Sequence, residues 1–253
     1  MAPDAHGGER MREKTAAVVI IGNEILTGKT VDENASFLIG ELHTLGVALR
    51  RIVVIPDDAD EIAATVRECK AKFDFVFTSG GVGPTHDDVT IAGVARAFNR
   101  PVRRLPEMAA IVRETFGAGI DEARLRLADA PEGSELIYSA AARWPILATG
   151  NVYILPGVPE IFRKKFAAIR ERFRAAPFHT AVVYTREDEF DLACRLQQVA
   201  ATNPAVAIGS YPNFEEEDYR VKITIEANEA EAVARARTSL LTILDPTLVV
   251  RCE

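Results

Sequence analysis

The first hundred residues repeat one hydrophobic figure three times. Residues 15–22, "TAAVVIIG", are an unbroken apolar run rich in β-branched side chains. Such a run fits a strand buried on both faces, as in a parallel sheet. "DENASFLIGELHTLG" (32–46) follows, with Phe37, Leu38, Leu42 and Leu45 on one helical face and Gly46 as the stop signal. The same reading predicts a strand over 47–58, then a helix over 60–72 with Ile62, Val66 and Cys69 inward. A third strand (73–79) and a third helix (89–99) complete the series. A βαβαβα order predicts a mostly parallel sheet flanked by helices, with right-handed crossovers.

The rhythm then loosens. Residues 106–117 read as a helix, and 121–128 as its continuation. Strands are predicted over 133–140 and 151–158, and a long amphipathic helix over 159–176, opened by Pro159. The basic residues of that helix read as a solvated surface. Pro177 breaks the chain. Beyond it come a strand (179–185), a helix (187–201), two strands (205–211, 219–227), a helix (229–244) and a last strand (247–253). This βαββαβ order is the ferredoxin-like pattern. The reading divides the chain into a loose polar tail (1–13), an α/β domain (14–176) and a smaller ferredoxin-like α+β domain (177–253). "FEEED" (214–218) reads as a solvated hairpin tip. "AVVYT" and "RVKITIE" are expected to put apolar residues on the helix-free face of the smaller sheet, which suggests a homo-oligomer.

Charge and composition narrow the partners. The net charge of −7 over 253 residues argues against a nucleic-acid partner held by phosphate neutralisation. The six-residue apolar run Ala16–Ile21 is too short to span a membrane, so a cytoplasmic protein with no membrane partner is expected. Cys69, Cys194 and Cys252 show no CxxC spacing, and Cys69 and Cys194 read as buried or half-buried thiols. The four histidines have no ligand spacing, His86 reading as a solvent-facing loop residue. GxxxxGK[ST] and GxGxxG are both absent.

The candidate chemistry lies beyond the carboxyl ends of the strands, where ligands bind in open parallel sheets. Three segments end there: "GNEILTG" (22–28), "PDD" (56–58) and "SGGVGPTHDD" (79–88). Gly80, Gly81 and Gly83 lack a Cβ, so ligand atoms can approach their amides. The helix predicted from Val89 aims its N-terminus at the same place, a site for phosphate or another oxyanion. Asp87 and Asp88 stand beside it. Capping of the helix accounts for one of them, Asp87 in the first instance. A second carboxylate next to an anion site is accounted for by a divalent cation such as magnesium. Asp57 and Asp58 have a turn or helix cap as their simpler explanation, and the 22–28 loop that of a bend permitted by Gly28.

"GNEILTG", "SGGVGPTHDD" and "ILPGVPE" (154–160), in this order, resemble the molybdopterin-binding domain family over residues 15–170. That family includes MogA, MoaB, gephyrin and the N-terminal part of competence/damage-inducible protein A. "NVYILPGVPEIFRKKF" (151–166) and "AIGSYPNF" (207–214) are similar to the molybdopterin-binding-like part of eukaryotic FAD synthases, which extends the likeness to the C-terminus. The resemblance implies a MogA-like fold. It implies functional roles for Asp57 and Asp88, here as metal ligands; Asp87 joins them as a metal ligand from the carboxylate pair itself, not from the resemblance. The resemblance implies a ligand or phosphate site at Gly80, Gly81, Gly83, Gly157 and Pro159, to which position at the strand ends adds Gly22, Glu24, Gly28, Ser79, Pro84 and Thr85. Residues 141–151 lack the GTAPGF-like segment of competence-type proteins, and residues 1–253 read as carrying neither their deamidase segment nor the synthetase segment of FAD synthases. The resemblance is therefore not expected to carry NMN deamidation or FAD synthesis to these residues. The resemblance implies a small anionic nucleotide or pterin ligand. The expected activity is a metal-dependent (Mg, Mn or Co) nucleotide pyrophosphatase acting on ADP-ribose or FAD. The alternatives are a protein that binds or adenylylates molybdopterin, or one that binds without catalysis.

Overall fold

In the strand Lys14–Ile21 (β1) every residue from Ala16 onward is buried, and successive side chains enter two different cores. Ala16, Val18 and Ile20 face one layer, and Ala17, Val19 and Ile21 the other. An uninterrupted apolar run is the signature of a strand covered on both sides, and removing each valine from water contributes about 1.5–3 kcal/mol. The computed structural model describes residues 13–117, 119–139, 142–215 and 218–253. The expected tail, apart from Glu13, and part of the expected acidic hairpin tip lie outside these residues.

After β1 come a single helical turn Asn23–Leu26 (α1), helix Asn34–Thr44 (α2), strand Val47–Ile55 (β2), helix Ala59–Lys72 (α3), strand Phe75–Ser79 (β3) and helix Thr90–Ala97 (α4). The next segment holds strand Val102–Arg104 (β4), helix Pro106–Phe116 (α5), a turn of helix Glu122–Leu125 (α6) continued as a 3-10 turn, and strand Asp129–Pro131 (β5). Strands Glu135–Ser139 (β6), Ala142–Thr149 (β7) and Val152–Leu155 (β8) and helix Pro159–Ile169 (α7) complete the first unit, which ends at Ala175.

The main sheet runs β2-β1-β3-β8-β7-β6. β2, β1, β3 and β8 are parallel, and β7 and β6 turn back as an antiparallel edge. Helices α2 and α7 cover one face with a phenylalanine cluster, in which the Phe166 and Phe173 rings stack 5.8 Å apart and Phe77 meets Phe173 edge-on at 4.9 Å. Helices α3 and α4 cover the other face. β7 went unread in the sequence because Pro145 interrupts it. A proline survives inside a sheet where no ladder amide is required, and the β6 pairing here is irregular between Ile137 and Ser139. The β4–β5 ribbon was also unread.

The second unit begins at Ala176. It comprises strand His179–Thr185 (β9), helix Glu189–Thr202 (α8), strands Ala207–Pro212 (β10) and Val221–Ala227 (β11), helix Ala230–Ile243 (α9) and strand Val249–Cys252 (β12). The antiparallel order β10-β11-β9-β12 is that of a ferredoxin-like sheet. Its apolar side chains depart from expectation. Ala181, Val183, Val221, Ile223 and Ile225 all join the core with residues of α8 and α9. Strand alternation leaves Thr180, Val182, Tyr184, Lys222 and Thr224 for the opposite face, so these strands supply no broad apolar surface there. Cys194 is exposed, contrary to expectation, while Cys69 is buried. Among the described residues no helix is long and apolar enough to cross a membrane.

Candidate functional site

Four parallel strand ends meet at one edge of the first unit, and backbone contacts pin them together. The Gly22 amide donates to Ile55 O at the end of β2 (3.2 Å), and the Gly80 amide to Leu155 O at the end of β8 (3.2 Å). Gly80 has φ +103, and a Cβ on it would strike the Ile21 carbonyl of β1. Only glycine permits both that conformation and that approach. A Cβ on Gly157 would stand 3.3 Å from Gly80 Cα, so the segment after β8 also closes on the loop.

A residue that the sequence reading passed over ties these ends. Asn34, at the start of α2, is 3% exposed. Its Nδ2 donates to Ser79 Oγ (2.9 Å) and to Gly157 O (2.8 Å), bridging the ends of β3 and β8. Its Oδ1 is buried with no partner among the described residues. The sequence signal was the polar start of an amphipathic helix, which reads equally well as an ordinary helix opening.

The glycine loop folds back on α4. Thr90 Oγ1 donates to Gly80 O (2.8 Å) and the Thr90 amide to Gly81 O (3.0 Å). A Cβ on Gly81 (φ +64) would run into Thr90 Oγ1. The consecutive amides of Gly81, Val82 and Gly83 donate to no described residue, and neither do those of Ile91 and Ala92 in the first turn of α4. Unpaired amides on a loop and a helix start form a positive concavity suited to an anion.

The carboxylates divide between two places. Asp88 accepts hydrogen bonds from the Thr85 amide (2.9 Å) and the Thr85 hydroxyl, closing the loop as a turn. Neither Asp87 nor Asp88 caps α4; Val89 holds the cap position and contributes no side-chain bond. Asp87 is exposed and stands 3.9 Å from His86 Nδ1. Asp57 Oδ2 accepts from the Asn23 amide (2.8 Å) and holds α1 against the end of β2. Asp58 caps α3 through the amides of Asp60 and Glu61, the simpler of its two readings. Among the described residues no group of three or more His, Cys, Asp or Glu is gathered as a metal cage, so Asp57, Asp87 and Asp88 do not form one. Gly28 (φ +70) faces open space, serving as the turn that the sequence suggested. Glu24 lies over Gly22, and Pro159 opens α7.

A cavity of about 570 Å³ opens beside the loop. Of the expected residues it takes Gly81, Gly83 and Asp88, together with His86. Its walls are mainly apolar, with Met108, Phe116, Leu127, Trp144 and Ile161 among them. The Phe116 and Trp144 rings lie 6.3 Å apart, tilted by 50°. Lys165 of α7 also lines it, its Nζ donating to Pro145 O (2.8 Å) and Trp144 O (3.3 Å). Burial pushes this amine down to about 8. The expected solvated basic face thus fails at Lys165. It holds for Arg163 and Arg172, which are about half exposed and pair with Glu33 and Glu135. The cavity is of the size and character of a small-ligand site.

Residues 17–175 match the model of a probable molybdopterin binding domain, and residues 177–253 that of the FAD synthase middle domain. A probable FAD synthase of Caenorhabditis elegans is 37% identical over 92% of this chain and 50% of its own length. Its Caenorhabditis briggsae counterpart is 34% identical over the same shares. The chain thus spans about half the length of these curated relatives. A solved structure from Thermoplasma acidophilum, described as CinA with unknown function, is 34% identical. It aligns with TM-score 0.59 over 64% of this chain and all of its own. With its central sheet, glycine loop and matched length, the chain belongs to the probable molybdopterin binding domain family, joined here to a unit of FAD synthase middle-domain type.

Proposed function

We propose that the first unit binds a nucleotide or pterin through its phosphates and cleaves the pyrophosphate of an FAD- or ADP-ribose-type dinucleotide. The observation that carries this reading is the run of three unpaired amides, Gly81 to Gly83, at the mouth of an apolar cavity next to Asp88. Phosphate oxygens accept from the amides, and the attached ring lies against the apolar walls. Asp88 is fixed by Thr85 at the edge of this concavity and would supply one carboxylate oxygen for a divalent cation; Asp57, outside the cavity lining, would be the second carboxylate, reaching from the strand ends. Magnesium is commonly held by one or two carboxylates and the ligand's own phosphates, so a complete protein cage is not required. When bound, the cation supplies neutralisation of the phosphate charge. The reaction is hydrolysis: water adds to one phosphorus, the bridging P–O bond breaks, and FAD yields FMN and AMP.

A second reading is adenylyl transfer or molybdopterin binding at the same concavity. The names of the matching family model and of the FAD synthase relatives favour it. Incubation with FAD, ADP-ribose, NADH, or molybdopterin plus ATP, each with magnesium, manganese or cobalt, separates the readings by chromatography. FMN and AMP from FAD alone support hydrolysis. Product only when ATP and a second substrate are present supports transfer and overturns hydrolysis.

A further inference from the structure

Lys165 is a cation inside an apolar cavity with no ion pair among the described residues; its only bonds are to the Trp144 and Pro145 carbonyls. An ammonium has three donors, and two are committed to the cavity wall. The third has no described acceptor. The committed pair fixes the amine at the Trp144 wall, whereas the unpaired loop amides belong to Gly81, Val82 and Gly83. With a ligand's phosphate on the loop amides, its ring is the part left to meet the Trp144 wall and Lys165 of the same cavity.

Resting on the phosphate-site reading above, we propose that Lys165 selects a heteroaromatic ring with a carbonyl edge, of flavin or pterin kind, over adenine. A ring carbonyl beside a ring nitrogen gathers negative charge and accepts from an ammonium. Adenine has no ring carbonyl: its acceptors are ring nitrogens alone, and its exocyclic amine is a donor that opposes an ammonium. Trp144 and Phe116 give the ring a face to stack on. The lowered affinity of the amine for its proton fits a charge held without a counter-ion until the ligand supplies the acceptor.

The test is calorimetric titration of the full chain and of K165M with FMN, FAD, neopterin, ADP-ribose and inorganic pyrophosphate. Loss of a hydrogen bond to a charged group weakens FMN, FAD and neopterin by about 10- to 100-fold. ADP-ribose and pyrophosphate bind the two proteins alike. FMN affinity of the parent falls as pH rises through about 8, where the amine loses its proton, and this dependence is absent in K165M. The other charged or titratable groups lining the cavity are His86, Asp88, Arg126 and Asp129. On the elements packed against α7, Glu33, Glu41 and Glu135 are ion-paired to Arg163, Arg170 and Arg172. K165M retains all of these, so a pH dependence lost with the lysine belongs to the lysine. Equal FMN affinity in the two proteins overturns the proposal. Equal losses for FMN and pyrophosphate overturn it too, placing Lys165 on the phosphate. A parent protein that binds none of the five removes the phosphate-site reading and this inference together.

Discussion

Replacing Lys165 by methionine should remove a pH dependence from the stability of the first unit. In the folded protein burial lowers the amine from 10.5 to about 8, while the unfolded chain keeps the ordinary value. Below pH 8 both states carry the proton and the full cost of a buried charge is present. Between about pH 8 and 10.5 the unfolded state holds more protons than the folded one, so stability rises with pH. At about 1.4 kcal/mol per pH unit, the complete rise is about 3 kcal/mol. Methionine has no proton to lose, so K165M lacks the rise. It also leaves the Trp144 and Pro145 carbonyls without a donor, an offset of about 1–3 kcal/mol that does not vary with pH. The diagnostic quantity is thus the difference between parent and variant across the pH range, not its value at pH 7. Trp144 is the single tryptophan of the chain and lies in the cavity wall, so its fluorescence during urea unfolding reports this unit alone. Other groups titrate in both proteins and cancel in the difference. A difference that stays flat within about 0.5 kcal/mol from pH 7 to 10.5 refutes the assignment of a buried, charged lysine to this cavity.

Three further substitutions separate structure from chemistry. Asp88→Asn should lower pyrophosphate cleavage by about 10²–10³-fold if its charge serves the reaction, with unchanged thermal unfolding as the control; equal turnover removes Asp88 from the mechanism. Asp57→Asn keeps an oxygen to accept from Asn23, so unfolding should be unaffected while turnover falls, and an unchanged rate confines Asp57 to holding the α1 turn. Gly80→Ala should destabilise by roughly 1–3 kcal/mol or more, because the new Cβ meets the Ile21 carbonyl and φ is +103, and a parent-like urea midpoint would contradict the observed loop.

Much of the fold was legible because its signals are local. The run of 15–22 records burial on two faces, and the βαββαβ order of residues 177–253 records a sheet that needs no ligand to define it. The glycine loop was legible as a place that requires glycine, but at Gly80 the cause is the backbone, φ +103 against the Ile21 carbonyl, where the sequence suggested ligand approach. What the sequence concealed is tertiary in origin. Asn34 and Ser79 are 45 residues apart, and their bond exists only because α2 begins and β3 ends at one edge. Lys165 sits among arginines and lysines on an amphipathic helix and reads as one more solvated cation. It becomes something else because Trp144 and Pro145, on a strand that the proline disguised, turn their carbonyls toward it. Gly81 shows the same limit from the other side. The sequence suggested that a side chain there would fill the ligand's place, but its Cβ would point at Thr90 Oγ1. The glycine protects the hydrogen bond that shapes the cradle, and the ligand benefits only through that shape. Position-by-position chemistry was therefore readable where one residue's backbone decides the matter. It failed where the role comes from a neighbour that only folding brings within reach.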